Sequence, residues 1–220
     1  SASGEYIAFL DSDDEWLTEK VERQVSHIAS RGWRREVSYH PIEVYDEVKS
    51  EIVRRSTFRG EGNIFRHMLR GVNVGLIQII IERNIALELG GFDERFHSHE
   101  DWEFLIRLSK SVEFTHLNQF LARGYVHGSP TRRISEDYDR HADDRKLLYR
   151  LHREAFEADR IADADYLSEM GYFLAVAGSW AEAQRCLMKS IALNPFRSAP
   201  YVRSAWVWAD FVRRRGRNQS

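Results

Sequence analysis

Apolar and polar positions in the first part of the chain follow two periods, one typical of strands and one of helices. Residues 5–10 and 74–82 are short apolar runs, which predict buried strands, the second of them central in its sheet. Residues 36–48 alternate and are β-branched, so they predict a strand with Pro41 at an edge or bulge. Two further short strands are predicted between residues 112 and 128. Helical periodicity predicts helices at residues 16–30, 62–71, 83–90 and 100–111.

From Asp139 onward the pattern is helical, with no strand period. Residues 166–195 resemble one tetratricopeptide repeat (TPR), a unit of two helices, although Ser190 stands where that family prefers Ala. The residues that carry this resemblance are Gly171, Gly178, Trp180, Ala183, Leu187 and Pro195. One repeat does not make a stable solenoid, so helices near 140–160 and 198–215 are expected to complete a bundle.

Composition narrows the classes of protein that fit the chain. Its 220 residues are 43% hydrophobic and carry a formal net charge of −2, which gives no reason to expect nucleic acid as a partner. The single cysteine excludes an internal disulfide and a cysteine metal site, and fits a reducing, cytoplasmic setting. No apolar run is long enough to cross a bilayer, which leaves peripheral association at the inner face of a membrane open.

The candidate chemistry begins at "YIAFLDSDDEW", residues 6–16, where a buried strand ends in four acids within five positions. Carboxylates this close repel one another, and a hard divalent cation such as Mg²⁺ or Mn²⁺ would relieve that repulsion. A simpler interpretation is that Asp13 or Asp14 caps a helix that begins near Trp16. A cap explains one of the acids, whereas a metal or phosphate-linked site explains the group.

Two known kinds of metal site, the EF-hand and the phosphatase type, match the spacing of these acids only in part. An EF-hand loop would use Asp11, Asp13, Glu15 and Glu22, but its sixth position requires Gly and here holds Trp16. A haloacid-dehalogenase-type phosphatase also places two aspartates after an apolar strand. That family has Thr or Val where this chain has Glu15.

A third kind of site is indicated by two separate blocks of sequence. "SGEYIAFLDSDDEWLTEKVERQV" resembles the region around the Asp-x-Asp motif of the family 2 glycosyltransferases, and "LGGFDERFHSHEDWEFLIRLS" resembles their Gly-Gly-Phe-Asp-Glu loop and the following Glu-Asp pair. "ARGYVHGS" resembles the family's closing Tyr-x-x-His segment, with Val126 in place of a frequent Arg. The resemblance covers residues 1–129 and implies an α/β GT-A fold.

The resemblance implies an inverting, metal-assisted transfer of a sugar from a nucleotide-diphosphate sugar to an acceptor hydroxyl. Asp101, the second acid of the Glu-Asp pair, matches the family's catalytic base. Asp13 is the expected direct ligand of Mg²⁺ or Mn²⁺, Asp11 helps through the ribose or the metal's water, and His127 is a candidate further ligand. A helix N-terminus would lower the basicity of Asp101 and a nearby acidic site would raise it, and the sequence does not decide between them.

Three residues are candidates for substrate binding, each with a simpler structural interpretation. Glu100 is expected to bind the acceptor, unless it pairs with Arg107, which could equally pair with Glu103. Asp14 supports the site or caps the following helix, and the cap is favoured. Trp102 stacks on a sugar or, as its spacing favours, packs in the core.

These expectations define three segments. Residues 1–129 are predicted to be the second half of a GT-A catalytic domain, because no Val-Ile-Ile-Pro-x-Tyr-Asn strand for the nucleotide base is found, so we expect a truncated, poorly active fragment. Residues 130–160 are predicted to be a linker and connecting helix, and residues 161–220 a TPR-like segment that binds a protein partner. The acceptor is a glycan, a lipid or a protein. The alternatives are a helical-repeat interaction module with a non-functional catalytic remnant, and a metal-dependent phosphatase.

Overall fold

The computed structural model describes residues 2–32, 35–72, 74–126 and 138–217, with side chains up to residue 209. The chain divides into two compact units. The first, mixed α/β unit consists of Ser1–Met68, Val72–Asp93 and Glu100–Thr131. The second, helical unit consists of Leu69–Gly71, Glu94–His99 and Arg132–Ser220.

The α/β unit alternates short strands with short helices. Its strands are β1 (Tyr6–Ala8), β2 (Glu15–Trp16), β3 (Glu36–Tyr39), β4 (Ile42–Asp46), β5 (Glu51–Arg55), β6 (Ile79–Glu82), β7 (Glu113–His116) and β8 (Ala122–Val126). Its helices are α1 (Lys20–Ser30), α2 (Phe65–Leu69), α3 (Arg83–Glu88) and α4 (Glu100–Ser111).

The first sheet has the order β1-β6-β3-β7. Strand β6 pairs antiparallel with both β1 and β3, and β7 runs parallel to β3. The side chains of Ile79, Ile80 and Ile81 are at most 2% exposed. The predicted central strand is therefore confirmed, although a short 3₁₀ turn at Leu76–Gln78 precedes it.

The second sheet has the order β2-β8-β4-β5. The single strand predicted for residues 36–48 is wrong, because Pro41 lies between β3 and β4 and these two strands belong to different sheets. Proline has no N–H to donate to a strand ladder, so the chain can change sheets there. Strand β5 was not predicted, since all five of its residues are exposed and it has no apolar alternation.

The helix after the acids begins later than the sequence indicates. Residues Glu15 and Trp16 pair with Arg123 and Ala122 of β8, and the Leu17 N–H donates to the Leu121 carbonyl (2.9 Å). Because this pairing holds residues 15–17, helix α1 begins only at Lys20, with Glu19 as its N-cap residue. The expectation that Asp14 caps the helix is therefore wrong.

The helical unit contains five helices among the described residues. It also includes two short segments from earlier in the chain, Leu69–Gly71 and Glu94–His99. The helices are α5 (Tyr138–Leu151), α6 (Arg153–Ala158), α7 (Arg160–Val176), α8 (Trp180–Leu193) and α9 (Ala199–Arg217). Among the described residues of both units, no helix is long enough and apolar enough to cross a bilayer.

Helices α7 and α8 form a hairpin in which Gly171 allows close packing. A Cβ atom on Gly171 would lie 2.8 Å from Leu187 Cγ and 3.0 Å from the Ala183 carbonyl oxygen. Glycine is thus required for the observed helix separation. The hydroxyl of Ser190, the departure from the repeat pattern, donates to the Ala164 carbonyl (2.6 Å). The assignment of this hairpin as a TPR unit stays a prediction.

Helix α1 buries two polar side chains against the first sheet. Lys20 and Gln24 are 0% exposed, whereas Val21 is 44% exposed. The Lys20 ammonium donates to Gln24 Oε1 (2.7 Å) and lies 4.7 Å from the centre of the Trp16 ring. The Gln24 amide in turn donates to the carbonyls of Ser38 (2.9 Å) and Gln78 (3.1 Å). These hydrogen bonds fix α1 on the first sheet.

Among the described residues, no carboxylate pairs with the Lys20 ammonium, and burial lowers its pKa to about 8. Between about pH 8 and the ordinary lysine pKa of 10.5, the unfolded chain therefore binds more protons than the folded chain. The free energy of unfolding should rise with pH over this interval.

We expect Lys20→Met to remove this pH dependence. Relative to Lys20→Met, the native protein should gain about 1 to 3 kcal/mol in the free energy of unfolding between pH 8 and pH 10.5. Urea denaturation at several pH values measures this difference. Lys49→Met is the control, because the Lys49 side chain is 62% exposed and its removal should leave the pH dependence unchanged. Parallel pH curves for the native protein and Lys20→Met would contradict the expectation.

Candidate active site

The acid loop, residues 9–14, forms a tight turn between β1 and β2. Asp11 and Asp13 are exposed on this turn, and the Asp14 N–H donates to the Asp11 carbonyl (3.2 Å). The indole N–H of Trp16 reaches back to the Phe9 carbonyl (3.2 Å) and closes the base of the loop. The acids are thus presented to solvent by a constrained turn.

Asp14 lies on the strand side of the loop and is only partly exposed. Its Oδ1 is 3.3 Å from the position that a Cβ atom on Gly124 would occupy. Glycine in β8 therefore permits the close approach of this carboxylate. Beside it, the Tyr125 hydroxyl donates to the Glu15 carboxylate (2.5 Å), a contact that sequence reasoning did not predict.

Arg107 fixes the loop that precedes the second acid pair. Its guanidinium binds the buried Glu103 carboxylate (2.6 Å) and donates to the carbonyls of Leu89 (2.5 Å) and Gly91 (2.8 Å). Gly90 and Gly91 have φ values of +77° and +69°, which favour glycine. The turn that ends α3 is therefore attached to the middle of α4.

An aromatic cluster joins the same segments. Phe9, Phe92 and Phe104 lie with ring centroids 5.1 to 6.3 Å apart. Phe9 comes two residues before Asp11, Phe92 follows the two glycines, and Phe104 lies on α4. The sequence analysis did not predict this cluster, although it predicted the helix that carries Phe104.

Asp101 lies in the first turn of α4. Its Oδ1 accepts the backbone N–H of Trp102 (2.6 Å). Burial raises the pKa of the Asp101 carboxyl, and the charges of Glu100 and Asp11 raise it further, against the lowering effect of the N–H of Trp102. The net direction is a raised pKa of Asp101, and burial is its largest cause. The charge of Asp11 acts on Asp101 in the same direction as that of Glu100.

Glu100 does not form an ion pair with Arg107, which was the simpler structural interpretation of Glu100 from the sequence. Arg107 is occupied by Glu103 and by two carbonyls. The Oε2 atom of Glu100 is buried and has no hydrogen-bond partner among the described residues. A buried carboxylate oxygen without a donor is unfavourable and marks a position where a ligand's hydroxyl would be stabilising.

Trp102 is partly buried, and its indole N–H donates to the Met68 carbonyl (3.1 Å). This bond attaches α4 to the end of α2. The contact favours a packing role for Trp102 over the predicted stacking on a sugar, which stays a prediction.

The described residues contain no group of three His, Cys, Asp or Glu side chains arranged to hold a metal ion. His127, the predicted further ligand, lies outside the described residues. The donor set nevertheless suits a hard cation: Mg²⁺ is often bound by one or two carboxylates together with substrate phosphates and water. Asp11 and Asp13 are exposed carboxylates of this kind.

Comparison with known proteins shows the family of this part of the chain. The family model "Glycosyltransferase like family 2" matches residues 1–122. The amylovoran biosynthesis glycosyltransferase AmsB of Erwinia amylovora is 32% identical over 132 residues, which cover 57% of this chain and 43% of AmsB. WfgD of Escherichia coli, a UDP-Glc:α-D-GlcNAc-diphosphoundecaprenol β-1,3-glucosyltransferase, is 24% identical over 117 residues, 53% of this chain and 43% of WfgD.

The fold comparison extends further along the chain. The crystal structure of S. aureus TarS superposes with a TM-score of 0.53 at 16% identity, covering 89% of this chain and 35% of TarS. The α/β unit thus has the mixed fold expected of a glycosyltransferase. The chain belongs to the glycosyltransferase-like family 2, since the family model matches more than half of it. It spans less than half the length of AmsB and WfgD.

We expect Arg107→Lys to destabilise the α/β unit by about 1 to 3 kcal/mol, because lysine cannot replace the planar fork that binds Glu103 and two carbonyls. Urea denaturation measures the change. Arg23→Lys is the matched control: Arg23 pairs with Glu19 on α1, both side chains are about half exposed, and the expected cost is below about 0.5 kcal/mol. Equal shifts for the two variants would mean that the Arg107 contacts contribute no more than a surface ion pair.

Proposed function

We propose that this chain carries out an inverting, metal-assisted transfer of a sugar from a nucleotide-diphosphate sugar to an acceptor hydroxyl. The observation that supports this most is the position of Asp101 in the first turn of α4, where its carboxylate accepts the N–H of Trp102 and burial raises its pKa. A carboxylate with a raised pKa is a better general base, and inversion requires a base to remove the proton of the attacking hydroxyl.

Asp101 is the proposed base. Its Oδ1 is engaged by the N–H of Trp102, which orients the carboxylate. The other oxygen is the proposed proton acceptor. Glu100 would accept a hydrogen bond from the acceptor sugar through its buried Oε2 atom, which has no donor among the described residues.

Asp11 and Asp13 are proposed to bind the donor's diphosphate through Mg²⁺ or Mn²⁺, with His127 as a further candidate ligand. Such an ion would neutralise the charge that develops on the leaving diphosphate. Asp13 is the proposed direct ligand, and Asp11 is proposed to act through the ribose or a bound water. Asp14, held against β8, would maintain the shape of the loop.

The names of the relatives suggest the substrate class. WfgD uses UDP-glucose and a diphosphoundecaprenol-linked sugar, and AmsB serves amylovoran biosynthesis. We therefore propose a nucleotide sugar as the donor and a growing glycan, carried on a lipid, as the acceptor. Such an acceptor would bring the protein to a membrane surface as a peripheral protein.

The segment boundaries proposed from the sequence are 1–129 for the glycosyltransferase segment, 130–160 for the connecting segment and 161–220 for the TPR-like helices. Binding of a protein partner by those helices is a second proposal. The hairpin of α7 and α8 is consistent with it but does not identify a partner.

We expect Asp13→Asn to weaken Mn²⁺-dependent binding of UDP by at least about tenfold, on the order of 1.4 kcal/mol, because the amide cannot replace a charged ligand. Isothermal titration calorimetry of the native protein and the variant measures this. Glu22→Gln is the control: Glu22 is an exposed acid on α1 that an EF-hand would use and the proposed site would not. Loss of cation binding in Glu22→Gln, with Asp13→Asn intact, would overturn the assignment.

We expect Asp101→Asn to lower the rate of sugar transfer by about 10² to 10⁴ while UDP binding is preserved, since only the proton acceptor is removed. Release of UDP from UDP-glucose with a diphosphoundecaprenol-linked acceptor is a suitable first assay. The acid limb of the native pH–rate profile should lie above the usual aspartate pKa of 3.8. Glu113→Gln, an exposed acid on β7, should leave the rate unchanged. Full activity in Asp101→Asn would exclude Asp101 as the base.

A further inference from the structure

A groove at the end of β5 is lined by three arginines and, among the described residues, by no acid. This arginine groove has a volume of about 460 Å³, and Arg54, Arg55 and Arg59 lie in its wall beside Thr57 and Phe58. All of these residues except Phe58 are exposed. Three positive charges on one concave surface, with no negative charge between them, attract anions.

The three guanidinium groups are held to different degrees. Arg55 donates to the Glu43 carboxylate (2.9 Å), and Arg59 donates to Oδ1 of Asn118. The Asn118 amide is neutral, so this bond orients the guanidinium of Arg59 without neutralising it. Arg54 has no hydrogen bond or ion pair within the part of the chain that the structure describes. Two of the three arginines therefore have no carboxylate partner among these residues, and both can bind an anion.

Aromatic packing fixes the wall of the arginine groove. The Phe58 ring stacks on Tyr39, with 6.1 Å between the ring centroids. Glu61, the acid that follows in sequence, is outside the lining and accepts the backbone N–H of His116 (3.0 Å). The segment between β5 and α2 is thus held at Phe58 and at Glu61, so Arg59 between them has a defined position.

A row of alternating charge connects the arginine groove to the acid loop. Glu15, directly after the acid loop, lies opposite Arg123 in register, with 3.9 Å between their charged groups. Arg123 lies opposite Glu43 (3.7 Å), and Glu43 lies opposite Arg55. Neighbouring strands are about 4.8 Å apart, so three spacings place the backbone of Arg55 about 14 Å from that of Glu15. The groove and the acid loop are therefore separate places on one sheet of the α/β unit.

We propose that the arginine groove binds a phosphoryl group of the sugar acceptor. The proposal rests on the proposed function, and it narrows the acceptor to one that carries a phosphate ester or a diphosphate. A guanidinium presents parallel N–H groups that match phosphate oxygens, and the exposed Thr57 hydroxyl is a further donor. The donor's diphosphate has its own proposed ligands, Asp11 and Asp13 with a cation. A phosphate site without acids, elsewhere on the sheet, suits the other substrate.

The first test is calorimetric binding of inorganic pyrophosphate, with EDTA present so that no cation bridges it to Asp11 and Asp13. The native protein should bind pyrophosphate, and the affinity should fall as salt is added, because exposed charges are screened. Arg54→Gln should weaken this binding by about tenfold, the loss expected for one charge-assisted hydrogen bond. No binding by the native protein, or equal affinity in Arg54→Gln, overturns the proposal.

Arg150→Gln is the matched control. Arg150 is another exposed arginine and lines a groove of the helical unit, but Asp143 and Asp144 belong to the lining of that groove. The control should leave pyrophosphate binding within about twofold of the native value. Equal losses in both variants would show a non-specific effect of charge, and a loss in Arg150→Gln alone would place the anion in the helical unit. Either result contradicts the proposal.

Competition with pyrophosphate identifies the source of the phosphoryl group. One probe is a sugar linked through a diphosphate to a short prenyl chain, and the other is a water-soluble oligosaccharide that carries a phosphate monoester. Displacement by the first alone assigns the groove to a lipid carrier's diphosphate, and displacement by the second alone to a phosphate of the glycan. Displacement by both shows that the phosphoryl group itself is recognised. If neither displaces more than the same oligosaccharide without phosphate, the assignment to the acceptor is wrong.

Transfer kinetics separate this proposal from the proposed function. With a phosphate-bearing acceptor, Arg54→Gln should raise the acceptor KM by about tenfold and leave kcat and the KM of UDP-glucose unchanged. An unchanged acceptor KM in Arg54→Gln overturns the role of the groove in acceptor binding. If the native protein transfers no sugar, the proposed function fails, and the pyrophosphate titration still decides whether the groove binds phosphate.

Discussion

The ion pair of Arg107 and Glu103 is the interaction on which the packing of α3 against α4 depends. A glutamate that is 2% exposed requires a cation, and the arginine is held in place by the carbonyls of Leu89 and Gly91. Those carbonyls end α3, where two glycines of positive φ prevent the helix from continuing. Since one guanidinium satisfies all three groups, α3, the glycine turn and α4 form one rigid assembly. The first turn of α4, with Asp101, can therefore be placed reproducibly.

Because this assembly is rigid, the fold tolerates three carboxylates that affect one another unfavourably. Glu100 and Asp11 raise the pKa of Asp101, and the Oε2 of Glu100 is buried with no partner that the structure describes. Such features destabilise a fold, and they persist only when the surrounding packing determines the geometry. Here the packing comes from the aromatic cluster of Phe9, Phe92 and Phe104 and from the isoleucines of β6. Hydrogen-bond donors such as hydroxyl groups, or a cation, would compensate these carboxylates.

The sequence was most informative where burial follows a simple period. Strand β6 and helix α4 were predicted because Ile79–Ile81 and Leu105–Ile106 mark them by apolar character alone. It was misleading where a long-range contact overrides the local pattern, as when pairing with β8 draws Trp16 into a strand and delays α1 to Lys20. Lys20 and Gln24 could not be assigned to the core, since Gln24 binds carbonyls distant in sequence and Lys20 in turn binds Gln24. The acid motifs were recognised from the sequence, but the partners of Arg107 and Glu100 required coordinates.

The helical unit depends on two short segments that come from earlier in the chain, before α4. A buried carboxylate without hydrogen-bond donors would cost several kcal/mol, of the order found when a buried pair is broken. Asp144 and Asp159 obtain their donors from His97, Ser98 and Arg70, all of which belong in sequence to the region between the first strand and α4. If those segments were removed, Asp144 would lose the backbone donors that stabilise its charge, and Asp159 would lose Arg70 and keep the N–H groups that it caps on α7. Because all of these residues belong to the helical unit, that unit is not formed by residues 132–220 alone.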